Sequence, residues 1–349
     1  MRIEAERITL HTRHPFRIAR PGASVEGSDV HRLIVKLQHE GIIGFGEAAP
    51  SPYYRQSVDS AEHCVTAVGQ APSLLGEDPM AVLPIVERLL EAFDDQRAAV
   101  AAIDAALHDW IGKKLNIPVW RLLGLDASVT PPTSMTIGLD EPDVIARKIE
   151  QARDFHALKI KVGTDHDIET LTLVRKLAPD RRLRLDANGA WTPDNAAERI
   201  LAMAAFEPEL IEQPIAAGQH DALRKIHAES PVPIFVDEDC VRPRDVPALA
   251  GCVTGVNIKL AKCGGIREAL RMIDLARTLG LKVMLGCMVE SSVGISAAAQ
   301  LASLADLIDL DGHLLLEDDP FEALAIDGDR VIPSNRPGLG VRKLATDPA

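Results

Sequence analysis

The sequence predicts an eight-stranded parallel barrel that follows a smaller α+β domain. From Pro131 onwards, short apolar runs alternate with helical patterns, and charged residues end four consecutive runs: Lys161, Asp186, Glu212 and Asp237. These residues lie at intervals of 25 to 26 positions, about the length that one strand, one helix and two loops need. In a parallel α/β sheet the residues that do chemistry sit at the carboxyl ends of the strands. The spacing therefore places a site at that end of the barrel.

The first 125 residues do not alternate in this way. Three strand patterns come first, the last two joined by a tight turn at His39-Glu40-Gly41, and three helical patterns follow. We predict strands at 3–12, 30–38 and 42–47, and helices at 57–68, 80–93 and 97–114. Segregated strands and helices predict an α+β domain over residues 1–125.

The barrel is predicted over residues 126–318. Its strands are expected at 133–137, 157–162, 182–186, 210–212, 234–237, 256–259, 282–286 and 307–311. A helical pattern fills each of the seven intervals but none follows the eighth strand, which gives a (β/α)7β order. Closure of eight strands leaves no exposed edge. The remaining segment, 319–349, has a turn signal at Asp327-Gly328 and is expected to return to the first domain.

Composition excludes several classes of function. The 349 residues are 46% hydrophobic and carry a formal charge of −13, which disfavours binding to nucleic acid or to an anionic membrane. No stretch approaches the roughly 20 apolar residues of a membrane span, and the start lacks a signal-peptide pattern. The five cysteines show no ligand-like spacing, so we expect reduced thiols in a cytoplasmic protein. The sequence is compatible with a homo-oligomer but does not fix the oligomeric state.

Three carboxylates are expected to converge because Asp186, Glu212 and Asp237 end neighbouring strands. Like charges at such distances repel by several kcal/mol at intermediate dielectric, and a divalent cation relieves that repulsion. An all-oxygen ligand set favours Mg²⁺ over zinc. Taken singly, each acid also has a plain structural explanation as a turn or loop residue.

Three lysines are expected near the same end of the barrel. Lys159 and Lys161 share one face of their strand, although a Lys-x-Lys pair alone is more often a solvated edge. Lys259 ends the sixth strand, half the circumference from Lys161. One base on each side of a bound carbon is what 1,1-proton transfer with inversion requires. A nearby dication and Lys159 would lower the pKa of a lysine towards the range of a general base.

Several segments resemble the muconate-lactonising subgroup of the enolase superfamily: ALKIKVG, LRLDANGAW, IEQP, VDED and NIKLAKCGG. The similarity extends to GFGEAAP near Glu47, VWRLLG near Leu122 and PGLG near Gly338. The resemblance implies a modified TIM barrel under a capping α+β domain, with the lysine base and Mg²⁺ that are an established pattern of this superfamily. It implies Lys161 and Lys259 as the acid/base pair, Lys159 as support for the substrate carboxylate, and Asp186, Glu212 and Asp237 as ligands of one Mg²⁺ per subunit.

The eighth strand discriminates among reactions within this subgroup. It reads LIDLDG, which puts Asp309 and Asp311 on one face and resembles the DxD signature of dipeptide epimerases. Two carboxylates suit a small-molecule substrate, a dipeptide, that carries an ammonium at one end. The resemblance implies a Mg²⁺-dependent epimerase that inverts the α-carbon of the C-terminal residue through an enediolate. Alternatives are an o-succinylbenzoate synthase, an N-acylamino-acid racemase, a muconate cycloisomerase, a barrel that binds without turnover, and a plain turn at 309–311.

The sequence also offers candidate residues for substrate specificity. Thr136 matches a substrate-contacting threonine of the dipeptide epimerases, and Cys287 and Met288 fall at the mouth of the seventh strand. The family implies that the cap loop at 16–30 sets side-chain preference; Arg20 could receive an acidic residue, with Arg17 or plain solvent exposure as alternatives. Acidic, cationic and hydrophobic preferences all stay open. The glycines of LAKCGGI and LGC are expected to supply positive φ at strand-to-helix turns.

Overall fold

The amino-terminal sheet is antiparallel and has three strands. The computed structural model describes residues 1–20 and 29–344. The strands are β1 (Arg2–His11), β2 (Asp29–His39) and β3 (Ile42–Ala48). Glu40 and Gly41 join β2 to β3 with φ of 48° and 75°, as a two-residue type I′ hairpin requires. The predicted tight turn is confirmed.

Helices follow this sheet in the chain. They are α1 (Val58–Gln70), α2 (Pro72–Leu75), α3 (Val82–Ala92), α4 (Arg97–Leu115) and α5 (Val119–Leu122). Helix α4 is buried along nearly its whole length and lies so close to β3 that a Cβ at Gly44 or Gly46 would meet its backbone. Small residues on both elements permit this contact, because each bulkier side chain would push helix and sheet apart.

The second body is an eight-stranded parallel barrel. Its elements in chain order are β4 (Ser134–Ile137), α6 (Pro142–Gln151), β5 (Ala157–Lys161), α7 (Asp167–Leu177), β6 (Arg182–Asp186), α8 (Pro193–Ala204), β7 (Leu210–Glu212), α9 (His220–Glu229), β8 (Ile234–Val236), α10 (Val246–Leu249), β9 (Gly255–Lys259), α11 (Leu260–Cys263), α12 (Ile266–Thr278), β10 (Lys282–Gly286), α13 (Ser292–Ala299) and β11 (Leu307–Asp309). Each strand pairs in parallel with the next. A bridge between Thr133 and Ile308 joins the two outer strands. The predicted (β/α)7β order is confirmed.

Three barrel strands end earlier than predicted, and the first of them, β5, stops at Lys161 instead of Val162. Strand β8 stops at Val236, because the amide N–H of Asp237 donates to Gln213 Oε1 at 3.0 Å instead of to a neighbouring strand. Strand β11 stops at Asp309, and Asp311, at φ −92° and ψ 0°, leads into a short 3-10 turn. Asp237 and Asp311 therefore belong to the loops that directly follow β8 and β11.

The carboxyl-terminal segment forms β12 (Phe321–Glu322), β13 (Leu324–Asp327), β14 (Arg330–Pro333) and β15 (Arg342–Lys343). The two-residue turn after β13 is Gly328-Asp329, one position later than predicted. The amide of Leu339 donates to Asp109 of α4 at 2.8 Å, and Lys343 lies 3.0 Å from Glu6 of β1. These contacts place the carboxyl-terminal segment against α4 and β1 of the amino-terminal domain.

Two further expectations concern the surface and the thiols. In the part of the chain that the structure describes, no helix is both long and apolar enough to cross a bilayer. All five cysteines are free thiols; Cys64, Cys240, Cys252 and Cys263 are buried, and Cys287 is half-buried.

Candidate active site

The barrel places the charged strand ends at one level. Side chains alternate along β5, so Leu158 and Ile160 join the apolar layer under the helices while Lys159 and Lys161 point inwards. Lys161 is opposite Asp186 in the register of β5 and β6, and Asp186 is opposite Glu212 in that of β6 and β7. The predicted residues of these three strands are therefore neighbours.

Lys159 lies at the centre of the carboxylates. Its Nζ is 2.7 Å from Asp309 Oδ2, 2.8 Å from Glu212 Oε2 and 3.1 Å from Asp186 Oδ2. Burial alone would lower the pKa of Lys159, but the three negative charges outweigh it and raise that pKa well above its ordinary value. Lys159 is therefore a fixed ammonium, suited to stabilising anions and unsuited to accepting a proton.

Lys161 has a different electrostatic environment, although it is only two residues away. Its Nζ lies 2.6 Å from Asp186 Oδ2 and 5.8 Å from the centre of the Phe16 ring. Burial is the main cause that lowers the pKa of Lys161; Asp186 opposes it, and the positive charges of Lys159 and Lys259 add to it. Lys161 therefore loses its proton more readily than an ordinary lysine does.

Lys259 stands on the opposite side of the barrel, because β9 is four strands from β5 in a ring of eight. Its Nζ is 2.9 Å from Asp237 Oδ2. Burial would lower the pKa of Lys259, but the charges of Asp237 and Glu212 overcome it and raise the pKa. Lys161 and Lys259 line the same cavity, as the strand count predicts.

The three acids differ in their tendency to hold a proton. Burial works against the anions of Asp186 and Asp237, yet their lysine neighbours bring both pKa values below the usual range. The pKa of Glu212 is raised, by burial first and by the negative charge of Asp186 second. Asp186 and Asp237 therefore hold a proton less tightly than ordinary carboxyl groups do, and Glu212 holds a proton more tightly.

The donors of this cluster suit a hard dication. Among residues 1–20 and 29–344, no three His, Cys, Asp or Glu side chains are close enough together to hold a metal ion as they stand; the ammonium of Lys159 lies between Asp186 and Glu212. Glu212 Oε2 is buried and accepts no hydrogen bond, although Lys159 Nζ is 2.8 Å away. Three carboxylates, one of which turns an oxygen towards a cation, fit Mg²⁺ in donor chemistry.

A cavity of about 640 Å³ opens above these groups, a size typical of small-molecule sites. The barrel and the amino-terminal domain both contribute to its wall. The barrel supplies Thr136, Lys159, Lys161, Asn188, Asp237, Lys259, Cys287, Met288, Asp309 and Asp311, and the amino-terminal domain supplies Phe16, Ile18, Arg20, Tyr53 and Tyr54. Every predicted site residue except Asp186 and Glu212 lines the cavity, and those two lie directly behind Lys159.

Asp309 and Asp311 reach the cavity with unequal partners. Asp309 accepts from Ser134 Oγ and Lys159 Nζ, both at 2.7 Å. Asp311 Oδ2 accepts from the amide of Thr136 at 2.6 Å. Burial and the charge of Asp309 raise the pKa of Asp311 to about 6. Asp309 therefore pairs with an ammonium of the protein, whereas the partner of Asp311 is a neutral backbone amide.

The amino-terminal wall is described only in part, because residues 21–28 of the predicted specificity loop lie outside the described chain. The guanidinium of Arg20 forms an ion pair with Glu238 and lies 4.1 Å from the centre of the Tyr53 ring. The positive charge of Arg20 is therefore compensated within the protein. Arg17 is half exposed, with Asp140 at 3.7 Å.

Sequence reasoning missed two residues that hold Asp237 in place. The ammonium of Lys262 contacts the Asp237 carboxylate and donates to the carbonyls of Asp237, Asn257 and Cys240 at 2.6, 2.9 and 3.0 Å. Gln213 Oε1 accepts the amides of Asp237 and Glu238, each at 3.0 Å. The second lysine of NIKLAK was a visible signal in the sequence, whereas the role of Gln213 depends on its φ of 42°.

The fold and the site define the class of protein. Residues 2–124 match the family model for the mandelate racemase/muconate lactonizing enzyme amino-terminal domain, and residues 144–344 match the enolase carboxyl-terminal domain-like model. The chain belongs to this family of the enolase superfamily, and it is an isomerase. The resemblance carried by the sequence motifs is confirmed.

Individual relatives within the family are described as epimerases. The chain is 37% identical to an L-Ala-D/L-Glu epimerase of Bacteroides thetaiotaomicron, over 96% of this chain and 86% of the relative. It is 36% identical to a hydrophobic dipeptide epimerase of Roseobacter litoralis, over 97% and 98%. A crystal structure of a dipeptide epimerase from Enterococcus faecalis, complexed with Mg and L-Leu-L-Tyr, superposes with a TM-score of 0.90 at 32% identity, over 97% of this chain and 98% of the other.

Proposed function

We propose that the protein is a Mg²⁺-dependent dipeptide epimerase that inverts the α-carbon of the C-terminal residue. The observation that carries the proposal is the placement of Lys161 and Lys259 on opposite sides of one cavity, each paired with a carboxylate. The relatives described as dipeptide epimerases support the substrate class.

The two lysines exchange roles with the direction of the reaction. One amine removes the α-proton from its side, and the ammonium of the other donates a proton to the opposite side. Positioned acid and base groups of this kind contribute about 10²- to 10⁴-fold to a rate. The lowered pKa of Lys161 suits it to start as the base, and the raised pKa of Lys259 suits it to start as the acid.

Proton removal leaves an enediolate, whose negative charge must be stabilised. Lys159 supplies a fixed ammonium for this purpose. Asp186, Glu212 and Asp237 would hold one Mg²⁺, which when bound supplies further positive charge beside the substrate carboxylate.

The other end of the substrate would be held by strand β11 and its loop. Asp311 would receive the ammonium of the dipeptide, and Asp309 would keep Lys159 and the local negative charge in place. Thr136 would fix Asp311 through its backbone amide and contact the substrate from the wall. A charge-assisted hydrogen bond explains why an amino-terminated substrate is preferred over a dianion such as muconate.

The test is a screen of L,L-dipeptide mixtures by mass spectrometry in deuterated water. We expect a gain of one mass unit on the C-terminal residue of the accepted dipeptides, together with the epimer in chromatography. A library of acidic, cationic and hydrophobic dipeptides without any exchange would contradict the proposal. Cycloisomerase or synthase activity that survives Asp311→Asn would favour those alternatives instead.

A further inference from the structure

Asn257 is a buried polar residue in the barrel that the proposed reaction does not use. It lies two residues before Lys259 on β9, has no exposed surface, and is absent from the wall of the cavity. Its Nδ2 donates to Glu212 Oε1 at 2.7 Å, although β7 and β9 are separated by β8. Its side chain therefore spans the inside of the barrel to reach one of the three carboxylates.

We propose that Asn257 is a positioning residue that orients Glu212 for Mg²⁺, an inference that rests on the proposed function. Asn257 holds Oε1 of Glu212, and the buried Oε2 pairs with a cation, the ammonium of Lys159, at 2.8 Å. The two oxygens thus have separate tasks. One is tied to the barrel, and the other is left for a cation.

The amide of Asn257 has no second task that would explain its presence. Its Oδ1 is buried and accepts no hydrogen bond from the described residues. An unsatisfied buried carbonyl oxygen costs about 1–3 kcal/mol, so a group chosen only for stability would be apolar here. The single hydrogen bond to Glu212 is the contact that the residue makes at that cost.

Strand β10 leaves room for this arrangement. A Cβ at Gly286 would lie 2.5 Å from Asn257 Oδ1 and 2.9 Å from Nδ2. Gly286 is not among the glycines with positive φ, whereas Gly264 and Gly265 are. The expectation that the glycine of LGC supplies a positive φ is therefore wrong: this glycine permits close approach of the Asn257 amide.

The backbone of Asn257 supports a second carboxylate. Its carbonyl accepts from Lys262 Nζ at 2.9 Å, and the same ammonium contacts the Asp237 carboxylate. Asn257 thus lies beneath both Glu212 and Asp237. Residues in such outer positions typically change metal affinity by 10- to 100-fold when they are removed.

The experiment measures Mg²⁺ affinity by titration calorimetry on the full-length protein without substrate. Asn257→Ala removes the donor, and Gly286→Ala displaces it by a different route. We expect both variants to raise the Kd for Mg²⁺ by about 10- to 100-fold. At saturating Mg²⁺, kcat for the dipeptide should largely recover, because neither residue touches the substrate.

Val256→Ala is the matched control. Val256 is the preceding residue on β9, equally buried, and packs in the apolar layer on the other side of the strand. It should lower the midpoint of thermal unfolding while leaving the Kd for Mg²⁺ unchanged. A merely structural role for Asn257 predicts the same pattern for all three variants.

The outcomes separate this inference from the proposed function. Wild-type Kd in both Asn257→Ala and Gly286→Ala, or an equal loss in Val256→Ala, overturns the positioning role and leaves the epimerase proposal intact. A parent protein that binds no Mg²⁺ at all overturns both.

Discussion

Two opposite walls of the cavity each carry a lysine, and the surroundings shift the pKa values of these two lysines in opposite directions. On the β5 wall, Lys161 shares Asp186 with the ammonium of Lys159, and burial together with that like charge lowers its pKa. On the β9 wall, Lys259 has Asp237 at 2.9 Å, and the negative charges raise its pKa. Matched strand ends therefore supply two amines at matched positions with different affinities for a proton.

The difference in pKa between the two lysines explains how a nearly symmetric barrel can perform a two-base reaction. Inversion needs one neutral amine and one ammonium at the start of each turnover, and the neighbours of the two lysines shift their pKa values in opposite directions.

Loss of either amine should have the largest effect. Lys161→Ala and Lys259→Ala should each reduce epimerisation by about 10²- to 10⁴-fold, because proton transfer needs both groups. Each variant should still exchange the α-proton of one epimer in deuterated water, and the two variants should retain opposite epimers. NMR of the L,L and L,D dipeptides measures this; loss of exchange with both epimers in both variants would remove the division of labour.

Asp237→Asn should disable the β9 wall in a second way. The variant removes a proposed Mg²⁺ ligand, so its Kd for Mg²⁺ should rise by at least about 100-fold, more than the change of an outer residue. It should also lower the pKa of Lys259, because Asp237 is the main negative charge that raises it. Calorimetry and a pH–rate profile report the two effects, and unchanged Mg²⁺ binding would show that Asp237 is not a ligand.

Asp311→Asn should affect substrate binding more than the chemical step. The loss of a charge-assisted hydrogen bond should raise KM by about 10- to 100-fold. The pKa of Asp311 is raised to about 6, so the carboxylate is neutralised as pH falls through that value and the parent KM should rise on the acid side. In Asp311→Asn the KM should be flat over the same range; a parallel rise in both proteins would assign the titration elsewhere.

Glu238→Gln should have the smallest effect and should leave both walls unchanged. We propose that the variant leaves the charge of Arg20 uncompensated at the cavity wall, because Glu238 is its ion-pair partner. Glu238 is buried and Arg20 is largely buried, and the uncompensated charge faces the cavity. The kcat/KM ratio of acidic over hydrophobic dipeptides should therefore rise about two- to fivefold, which corresponds to about 0.4–1 kcal/mol. Arg20→Met is the control, and it should lower that ratio or leave it as it was.

The positions of the main groups were predictable because they repeat. A βα unit of nearly constant length returns the chain to the same edge of the barrel, so Lys161, Asp186, Glu212 and Asp237 follow from spacing and fold class. The exact ends of β8 and β11 were not predictable. They depend on Gln213 and on the turn after Asp309, which replace the strand ladder locally.

The supporting contacts of the site could not be predicted from the sequence. Asn257 and Glu212 are separated by 45 residues and by one strand, and their hydrogen bond depends on rotamers and barrel curvature. The same holds for Arg20 with Glu238 and for Lys262 with the Asp237 carboxylate. Periodicity identifies which residues share a level, but the pairing among charged groups within it is decided by distances of about an ångström.

If two amines act from opposite walls of the cavity, the hydrogen at the inverted carbon of the product comes from the solvent and not from the substrate. An L,L-dipeptide that the enzyme accepts is incubated in deuterated water, and the product epimer is analysed after a few per cent conversion. With two lysines acting from opposite sides, we expect one deuterium at the C-terminal α-carbon of nearly every product molecule. Product that retains the original protium at that carbon would mean that one group carries the proton across, and would contradict the account.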